Sequence, residues 1–354
     1  MERTLKMTSV NANWDDFYKK NVSEKIPFFS RDGRLYDCLF AQQFDRKLLT
    51  SLFKTADTLR DITQKKEGMD HAGSLLSHTR AMLYFVQPST RTFLSFLNAC
   101  HILGVKTSEI RDTSTSSEVK GESPEDTVRT FSSYVDMIIM RHPTPGFVEK
   151  TAWLMNLTNR PVPIINGGSG KDQHPTQALL DSYTLYRSFN GDMDNKKIVM
   201  VGDLKRGRTV RSLTYLMKNY KNISLAFVSP EEFRMEPDIL EFLKRHHIPF
   251  TETGDFRSVM GEADAIYMTR IQDEHDHSGE SKAVDYSPFY FRSEHLKLIK
   301  KTCVIMHPLP RRNEIEISVD ADPRAVFWRQ ERNGMWARAA LIAHIFGADQ
   351  KITR

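Results

Sequence analysis

The stretch Ala81-Met82-Leu83-Tyr84-Phe85-Val86, then Gln87, then Pro88-Ser89-Thr90-Arg91-Thr92-Phe93 and on to Cys100, decides how this chain folds. Its opening is an apolar run of strand length, and Phe93, Phe96, Leu97 and Cys100 then recur at helical spacing. The unit is a strand, a short turn and a helix. It repeats along the chain. Val135–Met140 and Pro163–Ile165 read as further buried strands in the first half, and Lys197–Val201, Ile223–Val228, Ala263–Met268 and Cys303–Met306 in the second. Val210, Leu213 and Met217 mark another helix. Strands alternating with helices predict an α/β chain of two doubly wound domains, each a mostly parallel sheet covered by helices on both faces.

Length agrees with two domains, since 354 residues exceed what one compact core usually holds. Two helix starts are marked. Ser123 precedes Pro124, Glu125 and Asp126, a cap followed by proline and acids in the first turn. Gly207 through Thr209 follows a strand and a turn and opens a helix. A last helix around Met335–Phe346 carries Trp336, Ala339, Ala343 and Phe346 on one stripe and is expected to pack back on the first domain. The first 37 residues lack periodicity and read as an extension.

Composition excludes several classes. No apolar run approaches the roughly 20 residues of a membrane span. The first residues have no apolar h-region and include Asp15 and Asp16, so no secretory signal is expected and the cytoplasm is the expected location. Cys38, Cys100 and Cys303 lie far apart, giving no disulfide framework and no zinc motif. Fifty basic residues against 45 acidic are scattered rather than clustered, which argues against nucleic acid. Neither metal nor cofactor is expected.

The chemistry sits where strands end. Pro88–Phe93 lies at the mouth of a helix, where free N–H groups and the helix dipole favour an anion. Ser89, Thr90 and Thr92 add hydroxyls there, and Arg91 adds a planar fork suited to phosphate. Arg141 ends an apolar strand, His174 stands among Gln173, Thr176 and Gln177 at another helix start, and Arg208 and Arg270 follow strands of the second half. Four arginines at the edge where open α/β sheets bind ligands suit a ligand set with several negative charges. Each has a plainer alternative: a Ser/Thr cap, a surface arginine, a structural histidine. Gly202 and Gly207 suggest a dinucleotide loop only weakly, because the G-x-G-x-x-G turn and the P-loop lysine are both missing.

Taken together, PSTRT (88–92), SSEVKGES (116–123), MRHP (140–143), INGG with QHPTQALLD (165–181), VGDLKRGRTVRSL (201–213), YMTRIQ (267–272), HPLPRRNEI (307–315) and FWRQERNGMWARAALIA (327–343) run in one order. In that order they resemble the aspartate/ornithine carbamoyltransferase family, and within it the aspartate branch. The resemblance implies carbamoyl transfer from carbamoyl phosphate to L-aspartate, an early step of pyrimidine biosynthesis. It also implies a division into residues 1–37, a carbamoyl-phosphate domain of 38–175 with the C-terminal helix 333–350, and an aspartate domain of 176–332. Phosphate falls to Ser89, Thr90, Arg91 and Thr92, and Ser116 and Lys120 are also implied on carbamoyl phosphate. The carbamoyl oxygen falls to Thr92, Arg141 and His174, and its amide to Gln177 and the carbonyls of Pro308 and Leu309. Aspartate falls to Arg208, Arg270, Gln272 and Lys120. The loop with Ser116 and Lys120 matches one that reaches a neighbouring subunit, which implies a homotrimer with shared sites and leaves regulatory chains open as further partners. His307-Pro308-Leu309-Pro310 lacks the cysteine found at that place in ornithine enzymes.

Three positions depart from the family pattern: Gln87 for an acid, Phe93 for an arginine, and Asp273-Glu274-His275 for Lys-Glu-Arg. They imply an altered ion-pair network for closing the domains, with Gln87 facing His275. Two other readings stay open: transfer to a different amino acid, and a non-catalytic paralogue acting as scaffold.

Overall fold

A computed structural model describes residues 13–112, 121–170, 173–270 and 284–352. The chain opens with two short helices, α1 (Trp14–Tyr18) and α2 (Val22–Lys25), and a hairpin of β1 (Ser30–Arg31) and β2 (Arg34–Leu35). Then come α3 (Arg46–Ile62), α4 (Lys66–Ser74), β3 (Arg80–Phe85), α5 (Thr90–Ile102), β4 (Lys106–Ile110), α6 (Pro124–Phe131), β5 (Met137–Arg141), α7 (Phe147–Asn156) and β6 (Ile164–Asn166). The second half follows with α8 (Pro175–Ser188), β7 (Lys197–Val201), α9 (Arg208–Leu216), β8 (Ser224–Val228), α10 (Pro237–Arg245), β9 (Phe250–Thr253), α11 (Arg257–Met260), β10 (Ala265–Met268), β11 (Val304–Met306) and α12 (Phe327–Ile345).

Two parallel sheets result, in the orders β4-β3-β5-β6 and β11-β10-β7-β8-β9. Side chains alternate across each strand, so each sheet feeds two cores. On β3, Ala81, Leu83 and Phe85 pack with residues of α3, α5, α8 and α12, whereas Met82 and Tyr84 pack with those of α6 and α7. On β7, Ile198 and Met200 join the first of these cores while Val199 and Val201 face Phe289, Phe291 and Phe327. One apolar core therefore runs from one sheet to the other through α8, α9 and α12. The last helix packs on α3, α5 and α8.

The fold class is as the alternation predicts, with three local differences. Two strands, β4 (Lys-Thr-Ser-Glu-Ile) and β9 (Phe-Thr-Glu-Thr), escape the apolar reading because each is a sheet edge, where half the side chains meet water. The last helix begins at Phe327 rather than near Met335, because its first turns carry polar residues on the inner side. The first described residues, read as an extension without clear periodicity, form short helices docked on the first domain. Trp14 lies against Trp153 at 5.5 Å between ring centroids, and Phe29 is fully buried. Lys25 is buried in a 2.7 Å ion pair with Glu149. Ser123 caps α6 as expected, accepting from the Asp126 N–H at 3.1 Å.

Candidate active site

The carboxyl ends of β3, β5, β6, β7, β10 and β11 open on one cleft between the sheets, a cavity of about 290 Å³. Ser89, Arg91, Thr92, Arg141, His174, Gln177, Arg208, Arg270, Pro308 and Leu309 line it, all of them singled out from sequence. Thr90 is exposed and lies outside the lining. Ser116, Lys120, Gln272 and His275 fall outside the described residues. Gln87 accepts from the Gly170 N–H at 3.3 Å, and its expected pairing with His275 lies outside the described residues.

Ser89 precedes α5 in an extended conformation and makes no side-chain cap. Ser89 lines the cleft, and the first N–H groups of α5 start beside it, uncapped by its hydroxyl. Arg91 donates from Nη2 to the Leu309 carbonyl at 3.0 Å, and its Nε lies 3.9 Å from Glu331. Arg141, the last residue of β5, is 9% exposed and donates from Nη1 to the Gly167 carbonyl at 3.3 Å. Its Nε is buried without a partner among the described residues, as expected of a donor reserved for a ligand. Burial, then Arg208 and Arg91 facing it, push its guanidinium down to about 9. Crowding cations cost free energy that a bound anion relieves.

His174 is the most informative side chain. It caps α8, its Nδ1 accepting from the Gln177 N–H at 3.3 Å, so the neutral ring carries its proton on Nε2. Burial first, then Arg208, Arg141 and Arg338, hold it well below the usual imidazole range. It is a neutral donor near pH 7. Gly168 makes room for it: at φ +92°, a Cβ there would stand 2.4 Å from His174 Cδ2.

Behind the lining runs a buried polar chain. Gln177 Nε2 donates to Asp181 at 3.0 Å, which leaves its Oε1 to accept from a ligand amide. Asp181 also accepts from Gln330 Nε2 and from the Tyr267 hydroxyl, both at 2.6 Å. Gln330 in turn accepts from the His307 N–H at 3.0 Å. His307 holds the turn at Pro308–Pro310, with Nδ1 accepting from the Leu309 N–H at 2.8 Å and Nε2 paired to Glu314 at 2.7 Å. Burial pushes Asp181 up to about 7 against the pull of its three donors.

Sequence reasoning missed Glu331, Arg338, Thr209, Thr269 and His307 in the lining. Glu331 and Arg338 lie two turns apart on the same face of α12, a polar pair on a helix otherwise buried through its middle. Gly334 lets Arg338 pass, since a Cβ there would stand 2.8 Å from Arg338 Nη1. Among the described residues no group of three or more His, Cys, Asp or Glu is placed to hold a metal.

A cationic cleft at the carboxyl edges of two parallel sheets, with a neutral imidazole donor inside it, defines a class of protein that binds and polarises small polyanions. The family is narrower still. Residues 37–187 match the aspartate/ornithine carbamoyltransferase carbamoyl-P binding domain, residues 194–345 match the Asp/Orn binding domain of the same family, and the chain belongs to it. Aspartate carbamoyltransferase 2, chloroplastic, of Pisum sativum is 42% identical over 317 residues, covering 87% of this chain and 78% of that one. The catalytic subunit of M. jannaschii aspartate transcarbamoylase superposes with a TM-score of 0.78 at 34% identity, covering 89% of this chain and 99% of that chain. Aspartate transcarbamoylase from Trypanosoma cruzi, in complex with carbamoyl phosphate and aspartate, has a TM-score of 0.78 at 33% identity, covering 87% and 95%.

Proposed function

We infer that this chain transfers the carbamoyl group of carbamoyl phosphate to the amino group of L-aspartate, releasing N-carbamoyl-L-aspartate and phosphate in pyrimidine biosynthesis. One observation carries the reading: Arg91, Arg141, Arg208, Arg270 and Arg338 converge with His174 on a single cleft. The two substrates are anions that repel each other in solution, and holding both in one cationic cleft removes most of that barrier.

The reaction forms a bond from the amine nitrogen to the carbamoyl carbon and breaks the bond from that carbon to the phosphate oxygen. The nitrogen attacks as a neutral amine, and its second proton leaves with the phosphate. Negative charge grows on the carbamoyl oxygen, where His174 Nε2, Arg141 and Thr92 are the fitting donors. Ser89, the start of α5 and Arg91 suit the phosphate. Gln177 Oε1 and the carbonyls of Pro308 and Leu309 suit the carbamoyl NH2 group. The Leu309 carbonyl accepts from Arg91 and keeps a second lone pair for the amide. Arg208 and Arg270 suit the two carboxylates of aspartate, and they repel the cationic side chain of ornithine.

The test is product analysis with carbamoyl phosphate and either aspartate or ornithine. Carbamoylaspartate and phosphate in equal amounts support the reading. Product with another amine, or none at all, favours the two other readings in turn. As part of the same proposal, the working form is a homotrimer in which Lys120 of one copy serves the site of the next; the family resemblance supports it.

A further inference from the structure

Five arginines line the cleft, yet among the described residues its lining also includes one carboxylate, Glu331. The side chain is 29% exposed and reaches in from α12. Its Oε1 lies 3.9 Å from Arg91 Nε, too far for a hydrogen bond and close enough for a charge pair. Arg91 has its Nη2 on the Leu309 carbonyl, so Glu331 and Leu309 together set the direction of the guanidinium that suits phosphate. The same carboxylate faces Arg338, whose Nη1 donates to Ser95 at 2.7 Å and whose Nε is buried without a partner among the described residues. A carboxylate here opposes the ligand that the arginines attract.

We propose that Glu331 is a resident counter-ion of the phosphate end of the site, holding Arg91 when no anion is bound and competing with the substrate's dianion for it. The proposal rests on the functional reading above and adds a residue to it. Glu331 touches neither reacting atom in this role; it is a positioning residue acting through Arg91.

A pH dependence follows. The groups facing Glu331 are Arg91 on α5, Arg338 on α12, and Asp181 on α8 and Tyr267 on β10 behind them. Burial raises the Glu331 carboxyl above its ordinary value, and Arg338 and Arg91 pull it back. A dianion arriving at Arg91 raises it further, so the complex takes up a proton. Affinity is therefore highest where Glu331 is already neutral, and falls as pH rises through its titration.

Calorimetric binding of sulfate tests this, because sulfate stays doubly charged throughout about pH 5.5 to about pH 8.5, whereas phosphate titrates. Wild type should bind sulfate progressively more weakly as pH rises. Glu331→Gln should flatten that slope and bind roughly three- to tenfold tighter at the alkaline end. Glu331→Asp should keep the slope. Equal slopes in wild type and Glu331→Gln, or weaker binding by Glu331→Gln at every pH, would overturn the proposal. Carbamoylaspartate formation by the same wild-type preparation separates the two ideas. No product alongside the expected sulfate behaviour sinks the functional reading alone, and product without a changed slope sinks the Glu331 role alone.

Discussion

At the scale of single residues, the role proposed for His174 needs a ring that is kept neutral and aimed. Capping α8 through Nδ1 fixes the tautomer, and burial, reinforced by the surrounding arginines, holds the ring unprotonated. Gly168 is the residue on which this placement depends, so Gly168→Ala should push the ring aside and strain the backbone at once. The expected loss is roughly 100-fold or more in kcat, and about 1–3 kcal/mol in stability. Steady-state rates with thermal melts check it, and an unchanged kcat in a folded variant would count against the assigned role of His174. Legibility at this scale followed position. Arg91, Arg141, Arg208 and Arg270 stand directly after apolar strands or at helix starts, and could be picked out from that alone. Glu331 and Arg338 sit on a helix face some 240 residues from the first of these motifs, where no local pattern separates a pocket residue from a solvated one.

Among the elements, the N-terminal segment shows what periodicity cannot see. Helices of five and four residues are too short to display a repeat, and their docking relies on single anchors: Trp14 on Trp153, Lys25 on Glu149, Asp37 on β6. Asp37 is fully buried, accepting from Ile164 N–H at 2.8 Å and from Asn156 Nδ2 at 2.7 Å. Burial lifts its carboxyl from 3.8 to about 7 despite those donors. A carboxyl raised on folding favours the folded state fully below its unfolded value, and that stability is lost as pH rises through the folded value. Wild type should accordingly lose stability between about pH 4 and about pH 8, by up to roughly 4 kcal/mol from this group. Asp37→Asn should show a shallower slope in denaturant unfolding over that range, whatever its absolute stability. Parallel slopes would show that Asp37 does not carry the effect. The edge strands β4 and β9 were invisible for a related reason: their polar faces look like loop in a reading that searches for apolar runs.

Across the whole molecule, the apolar core shared by α8, α9 and α12 ties two sheets into one frame, and the cleft is the gap it leaves at their carboxyl edges. Alternation of strands and helices made this architecture readable, because a parallel sheet buried on both faces needs the near-continuous apolar runs that the sequence displays. The proposed sharing between copies rests on Ser116 and Lys120, outside the described residues. Mixing Arg91→Ala chains with Lys120→Ala chains tests the proposed sharing. Hybrid trimers should regain part of the activity that neither variant has alone, since some of their sites draw both intact residues from different chains. No recovery despite demonstrated subunit exchange would argue for sites complete within one chain. The claim that this cleft joins a carbamoyl group to aspartate is tested most directly by kcat/KM for carbamoyl phosphate transfer to aspartate and to ornithine, measured on wild type in one assay. The account predicts carbamoylaspartate from aspartate and negligible product from ornithine; transfer to ornithine at a comparable rate, or to neither amine, would contradict it.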